Sequence, residues 1–210
     1  MRTLVIDTAT QALSLALFDD DVMIAYDHNI IGRGHAEALM PRIAALPGGG
    51  RANRIAVDTG PGSFTGVRIG LAGARALAFG WGSALVGYSA LSIVALAARA
   101  QHGTRDEPIA VAMQGGHGEL FWQMFASASL TPITQLASAP VEEVASAISC
   151  APIYGSAAAQ VVAARGHGVA IDLLPDAQLF PLLPPAALTP ALAVYGRGAD
   201  AKPMAGFTPS

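Results

Sequence analysis

The residues best placed for chemistry form one glycine-rich segment, which runs from Asp58 to Gly70 and reads DTGPGSFTGVRIG. A predicted strand enters it and a predicted helix leaves it, so backbone N–H groups and the positive end of the helix dipole can face an anion. The phosphate-binding pattern G-x-x-x-x-G-K-[ST] is absent, and Pro61 removes one N–H donor. Two interpretations stay open: an anion site, or a tight turn in which Ser63 or Thr65 caps the helix.

Two acids stand at the ends of predicted strands and could line a cleft. Asp7 ends the first strand, and Asp58 ends the fourth. Neither has an evident partner in the sequence, so these acids alone do not predict an active site. The candidate contacts to an anion or a nucleotide are Asp7, Thr8, Ser63, Thr65 and Arg68.

Other kinds of catalytic centre lack their signatures. The 5 histidines contain no pair at the i, i+4 spacing of a helical zinc site, and the nucleophile pattern G-x-S-x-G is missing. A single cysteine, Cys150, excludes an intramolecular disulfide and a cysteine-based metal cluster, which fits a reducing compartment. We therefore predict no metal site and no catalytic residue in this chain.

The helix predicted from Gly66 to Gly80 has one side nearly bare of side chains. Its positions 66, 70, 73, 77 and 80 read Gly, Gly, Gly, Leu and Gly. An interior glycine costs about 1 kcal/mol relative to alanine, so close approach by another element must compensate. Either the helix predicted from His35 to Leu46 or a second molecule could supply that approach, and we expect a second polypeptide. The predicted interface consists of Leu39, Met40, Ile43, Leu46, Gly66, Ile69, Gly70, Gly73 and Leu77.

The elements around these segments alternate between strand and helix, which is typical of a sheet with crossover connections. Strands are predicted at 2–7, 13–18, 22–29, 54–58, 84–88, 109–114, 119–127, 133–137 and 152–154. Further helices are predicted at 90–101, 141–149 and 157–165, and the prolines after residue 175 predict an irregular path. We divide the chain into an N-terminal lobe, 1–103, and a smaller C-terminal lobe, 104–210.

The composition excludes several classes of protein. With 52% hydrophobic and 13% charged residues among 210, the chain can bury a core and is not disordered. A net charge of -3 and one lysine, Lys202, leave no broad basic face for nucleic acid. Charged and turn residues interrupt the apolar runs before membrane-spanning length. Asp7 stands too early for a secretory signal, so we expect a cytoplasmic protein.

Three segments resemble the bacterial TsaB family, also called YeaZ. They are MRTLVIDTAT at 1–10, His35 with LMPRI at 39–43, and GPGSFTGVRIG at 60–70. The resemblance continues at 86–91 and 118–122 and is faint at 195–197, so it covers the first half closely and the second loosely. It implies an α/β fold of the actin-like ATPase and sugar-kinase (ribonuclease H-like) type, with two lobes of mixed sheet.

The resemblance also implies a non-catalytic subunit. In that family TsaB binds its paralogue TsaD, which holds a metal and forms N6-threonylcarbamoyladenosine in tRNA beside the anticodon, and the ATPase TsaE joins them. The helices that match 35–46 and 66–80 pack against the partner. ATP and metal are then expected on the partner subunits, with no cofactor bound tightly by this chain. The tRNA is reached only through the complex, and a homodimer is expected when the partner is absent.

Two departures and one alternative accompany this resemblance. Gln114 and Gly116 stand where the family has an acid and an arginine, which affects any contact to TsaE, nucleotide or partner. The alternative function is an ATP-dependent phosphotransferase of the same fold. Its phosphate hairpin would need glycine after the first strand, where Ala9 and Gln11 stand. The sequence alone leaves open whether the chain is an enzyme.

Overall fold

The computed structural model describes residues 1–103, 106–116, 118–150 and 152–194. The strands are β1 Arg2–Asp7, β2 Ala12–Asp19, β3 Val22–Ile30, β4 Arg54–Asp58, β5 Ala84–Tyr88, β6 Ile109–Gln114, β7 Glu119–Phe125, β8 Ala137–Pro140, β9 Ile153–Tyr154 and β10 Ala170–Ile171. The α-helices are α1 His35–Ala45, α2 Phe64–Trp81, α3 Ala90–His102, α4 Val141–Ala147 and α5 Ala158–Arg165. Segments of 3₁₀ helix lie at Pro47–Gly50, Ala177–Leu182 and Pro185–Ala187.

The two sheets repeat one strand order. The first sheet runs β3-β2-β1-β4-β5, and the second, read from its β8 edge, runs β8-β7-β6-β9-β10. In each sheet the first three strands in sequence pair antiparallel, the fourth pairs parallel with the first of them, and the fifth pairs parallel with the fourth. Parallel pairing requires crossover connections, which α2 and α5 supply. The predicted α/β fold with two lobes of mixed sheet is confirmed.

Helix α3 lies between the two sheets and joins their cores. Its residues Leu91 and Val94 are fully buried in one apolar cluster with Val5 of β1 and Val111 of β6. A second cluster fills the space between the first sheet and helices α1 and α2. The first sheet is therefore covered on both faces, which explains the continuous apolar runs of β1 and β2.

The segment after residue 175 returns to the first lobe. Asp176 accepts hydrogen bonds from the hydroxyls of Tyr26, at 2.7 Å, and Ser14, at 3.4 Å. Farther along, the backbone groups of Thr189 bond those of Gly87 at 2.7 and 2.9 Å, beside the edge strand β5. The last described residues therefore tie the two lobes together. Residues 104, 105 and 195–210 of the predicted second lobe lie outside the described residues, as does the 195–197 match.

Three predicted elements differ from the structure. The strand predicted at 133–137 lies instead at Ala137–Pro140, because the Thr134 hydroxyl takes the N–H of Met124 that a paired strand would use. The short strand β10 was not predicted, since two residues carry no periodic pattern. The proline-rich region predicted as irregular contains two short 3₁₀ segments.

Helix α2 sits directly against the end of β1. A Cβ added at Gly66 would stand 2.1 Å from the Thr8 carbonyl oxygen, and one added at Gly70 would stand 2.5 Å from Thr8 Oγ1. The Thr8 hydroxyl in turn donates to the Gly66 carbonyl at 2.8 Å. At Gly73 the added Cβ would lie 3.0 Å from Leu39 of α1. The expectation that this glycine side needs a second polypeptide is therefore wrong for these three positions, because the chain itself supplies the close approach.

We predict that Gly66→Ala lowers the free energy of unfolding by at least about 2 kcal/mol, because its methyl group collides with the backbone oxygen of Thr8. The matched control is Gly80→Ala on the same helix, where an added Cβ would meet no atom of the described residues within 4 Å apart from its chain neighbours and the backbone of α2 itself. That control should raise stability by up to about 1 kcal/mol through helix propensity. Urea unfolding followed by circular dichroism measures both, and equal stability of the two variants would contradict the packing described.

Candidate functional site

Asp7 and Asp58 form a buried carboxylate pair at the centre of the first sheet. The strands β1 and β4 are parallel neighbours, with Ile6 opposite Val57, so the two acids that follow are adjacent. Each acid is only 1% exposed. The sequence shows no evident partner for either acid, and the structure shows that each is the partner of the other. The signal lay in the predicted strand ends, which meet at one edge once β1 and β4 pair in parallel.

The hydrogen bonds around the pair indicate where its proton resides. Asp7 accepts from the Ala9 N–H at 3.2 Å and from the Tyr88 hydroxyl at 3.4 Å, so its oxygens have donors. Asp58 Oδ1 accepts from the Gly60 N–H at 2.6 Å, whereas Oδ2 is buried without a donor among the described residues. An ionised carboxylate cannot leave that oxygen unpaired at low cost, but a protonated one can donate to Asp7.

The same surroundings shift the pKa values of these groups. Burial raises the pKa of Asp58 well above its usual range, and the negative charge of Asp7 and the hydrogen bond to it raise it further. Burial also raises the pKa of Asp7, while the hydrogen bonds from Asp58, Ala9 and Tyr88 act in the opposite direction. Both shifts favour a pair that shares one proton, held by Asp58, because two buried like charges side by side are unfavourable.

The five candidate anion contacts fall into two groups. Asp7 and Thr8 are buried, at 1% and 2% exposure, and both serve internal hydrogen bonds. Ser63, Thr65 and Arg68 are exposed. The Ser63 hydroxyl accepts the Gly66 N–H at 3.2 Å, so it caps α2 as one of the two interpretations predicted. Only this exposed group can meet a ligand without rearrangement of the core.

The exposed group lines a cleft of about 1460 Å3 between the two lobes. The first lobe contributes Arg33 and Glu37 as well, and the second contributes the β6–β7 hairpin and Ser156. Gln114 and Gly116, the residues that depart from the TsaB pattern, lie on that hairpin and line the cleft. The Gln114 side chain is engaged there, since its oxygen accepts from Gln160 at 2.7 Å.

The residues predicted as a partner interface differ widely in exposure. Buried in the chain's own core are Leu39, Ile43, Leu46, Gly66 and Gly70. Half-buried are Ile69, Gly73 and Leu77, and Met40 is exposed at 44%. The buried five are thus unavailable to a partner, because β1, α1 and α2 already pack on them. Sequence periodicity identified the apolar residues of both helices but could not say which side faced the sheet.

A different set of residues forms the outward side of these helices, here named the α1–α2 face. On each helix its exposed members follow one another at spacings of three or four, and Gly73 packing on Leu39 brings the two helices together. The α1–α2 face consists of exposed Ala36, Met40, Ala44, Ala72, Ala76 and Phe79 with half-buried Ile69 and Leu77. Exposed Glu37 of α1 and exposed Arg68 and Arg75 of α2 border this face, and the apolar residues between them are typical of an interface with a polar rim.

Two further findings concern other kinds of site. Within the described ranges, no group of three or more His, Cys, Asp or Glu side chains is arranged to hold a metal ion. Among the same residues, no helix is both long and apolar enough to cross a lipid bilayer.

We predict that Asp58→Asn stabilises the protein above about pH 4, because asparagine keeps both hydrogen bonds without needing a proton. In the native chain the folded state holds a proton that the unfolded chain releases above the ordinary aspartate pKa of 3.8, so native stability falls as pH rises toward the raised folded pKa. The advantage of the variant should grow by up to about 1.4 kcal/mol per pH unit across that window. Urea unfolding at several pH values between 4 and 8 measures it.

The matched control for this experiment is Asp21→Asn, which changes an exposed acid in the β2–β3 turn. Its unfolding free energy should follow the pH dependence of the native chain. If Asp58→Asn also follows it, Asp58 is ionised in the folded protein and the proton-sharing arrangement is refuted.

Comparison with known proteins identifies the family to which this geometry belongs. The family model described as "TsaD: tRNA N6-adenosine threonylcarbamoyltransferase" matches residues 29–170. The tRNA threonylcarbamoyladenosine biosynthesis protein TsaB of Escherichia coli K12 is 36% identical over 127 residues, covering 58% of this chain and 54% of that protein. The Bacillus subtilis 168 protein of the same name is 34% identical over 107 residues, covering 49% and 46%. This chain thus spans about half the length of the curated relatives it matches.

A solved structure extends the similarity to nearly all of the chain. YeaZ from Pseudomonas aeruginosa superposes with a TM-score of 0.76 at 28% identity, covering 92% of this chain and 99% of that one. The predicted actin-like, two-lobed fold and the resemblance to TsaB, or YeaZ, are confirmed. The chain therefore belongs to the tRNA N6-adenosine threonylcarbamoyltransferase family, in which its similarity is to the TsaB, or YeaZ, proteins.

Proposed function

We propose that this chain is an accessory subunit in the synthesis of N6-threonylcarbamoyladenosine in tRNA. It binds a TsaD-type threonylcarbamoyltransferase through the α1–α2 face and does not itself carry out the transfer. The names of the relatives support the pathway, and the family-model match at 29–170 includes both helices of the face.

The observation that carries this proposal is the composition of the α1–α2 face. Its outward positions hold alanines, a methionine exposed at 44% and a phenylalanine exposed at 93%. The small residues let another helix approach closely, and the large apolar ones gain free energy when covered. The fold of the chain does not require these residue types at outward positions, so a partner is the simplest reason for them.

The rest of the assembly follows from the same proposal. ATP and metal reside on partner subunits, TsaE joins the pair, and tRNA is contacted only through the complex, since the chain has 12 basic against 15 acidic residues. Without its partner the chain forms a homodimer through the same face, around a two-fold axis. We place this assembly in the cytoplasm.

We predict that Ala76→Arg weakens binding to the TsaD-type protein of the same genome by at least about 100-fold. An arginine at the centre of the α1–α2 face would be buried without a charged partner, whereas the exposed position leaves the free chain folded. Isothermal titration gives the affinity, and mass spectrometry of tRNA nucleosides gives the modification level. Gly73→Leu is less suitable, because its side chain would displace Leu39 from the core.

The matched control is Ala163→Arg, which places the same charge on an exposed alanine of α5 in the other lobe. It should bind the TsaD-type protein as the native chain does. Equal binding by the native chain and Ala76→Arg, with circular dichroism unchanged, would refute docking through this face.

A second candidate function is the ATP-dependent phosphotransferase. The observation that favours it is the inter-lobe cleft, where Ser63, Thr65 and Arg68 are exposed near the N-terminus of α2. Against it, Asp7 lies buried under Tyr88 and is paired with Asp58, so it cannot reach a substrate in the cleft without rearrangement.

The two functions are separated by titrating the full chain with ATP and Mg²⁺ in a calorimeter. The accessory-subunit proposal predicts no saturable binding below about 1 mM by the isolated chain. Micromolar binding that is lost in Arg68→Ala would favour the phosphotransferase, and Arg75→Ala, on the same helix but outside the cleft, serves as the control.

A further inference from the structure

We propose that Phe79 is the anchor of the α1–α2 face, the side chain whose burial contributes most to binding of the partner. This inference rests on the proposed function, because it concerns the same face, but it assigns a role that the face as a whole does not specify. It also describes the partner: a helical surface with an apolar hollow that accepts one aromatic ring.

The exposure of Phe79 sets it apart from the other large apolar residues. Its relative exposure is 93%, against 67% for the next most exposed large apolar residue among those described, Val22. Covering a phenylalanine ring removes more apolar surface from water, and so gains more free energy, than covering any alanine of the face. Aromatic residues that lose their solvent on binding are among those where binding energy concentrates in protein interfaces.

Small residues beside Phe79 on α2 leave its ring projecting from the helix surface. Ala76 precedes it by three positions and Ala72 by seven, so both small, exposed residues lie on its side of the helix, while exposed Arg75, four positions before it, borders the ring on the other flank. The ring therefore projects beyond the surface formed by Ala72 and Ala76. A partner helix that packs on these alanines must leave an apolar hollow for the ring.

Phe64 on the same helix provides the contrast. It is also exposed, at 57%, but the Arg68 guanidinium lies 3.6 Å from its ring centre, and it lines the inter-lobe cleft. Its ring thus has a cation–π contact within the chain, and it faces the cleft rather than the α1–α2 face. The two phenylalanines allow one substitution to be tested on and off the proposed interface.

The experiment measures binding of Phe79→Ala and Phe64→Ala to the TsaD-type protein of the same genome by isothermal titration, with Ala76→Arg in parallel. Phe79→Ala should weaken the affinity at least about 30-fold, since that is the scale of an interface hot spot. Phe64→Ala should stay within about threefold of the native chain. Both positions are exposed, so circular dichroism and urea unfolding should show folded variants.

The outcomes distinguish this inference from the proposed function. If Ala76→Arg abolishes binding and Phe79→Ala binds like the native chain, the partner uses the face but Phe79 is not its anchor. If neither variant changes the affinity, both the anchor and the proposed docking face are wrong. If Phe64→Ala weakens binding as much as Phe79→Ala, the partner reads exposed aromatic rings along the whole helix and the anchor assignment is refuted.

Discussion

The contact between the glycines of α2 and the end of β1 is the constraint on which the first lobe depends. Gly66 and Gly70 have no room for a side chain because the Thr8 carbonyl and hydroxyl occupy the space where a Cβ would stand. The helix consequently lies flush on the sheet, at a separation that larger residues would forbid. This seating fixes which side of α2 is buried, and so which side remains for other molecules.

The buried acids belong to the same junction. Asp7 directly precedes Thr8, and Asp58 leads into the loop that delivers the chain to Ser63 and α2. The two acids lie at the adjacent ends of β1 and β4 and accept the N–H groups of Ala9 and Gly60. Asp7 and Asp58 stand where a catalytic centre would be sought, yet they stabilise the turns that lead into α2. Their role is therefore structural.

The sequence predicted the first lobe well because its signals are local. The runs at 2–7, 54–58 and 84–88 are strands with the predicted bounds, since each is bracketed by turn residues and has a continuous apolar pattern. The relations across the chain were not predictable in this way. Asp7 and Asp58 are 51 positions apart, and only the parallel pairing of β1 with β4 makes them partners. The strand predicted at 133–137 lies instead at Ala137–Pro140 for a similar reason. The Thr134 hydroxyl, ten positions from Met124, takes the N–H that backbone pairing would use.

The prediction of an interface used a correct pattern with the wrong cause. The glycine pattern predicts contact with another molecule, yet the cost of these glycines in helix stability is offset within the chain by contact with Thr8 and Leu39. What internal packing leaves unexplained is the outward side of the helix, where Ala72, Ala76 and Phe79 are exposed between and beside Arg68 and Arg75. Inner glycines and outer apolar residues therefore have separate causes. Only the outward apolar residues indicate a partner. That inference does not depend on the glycines of the inward side.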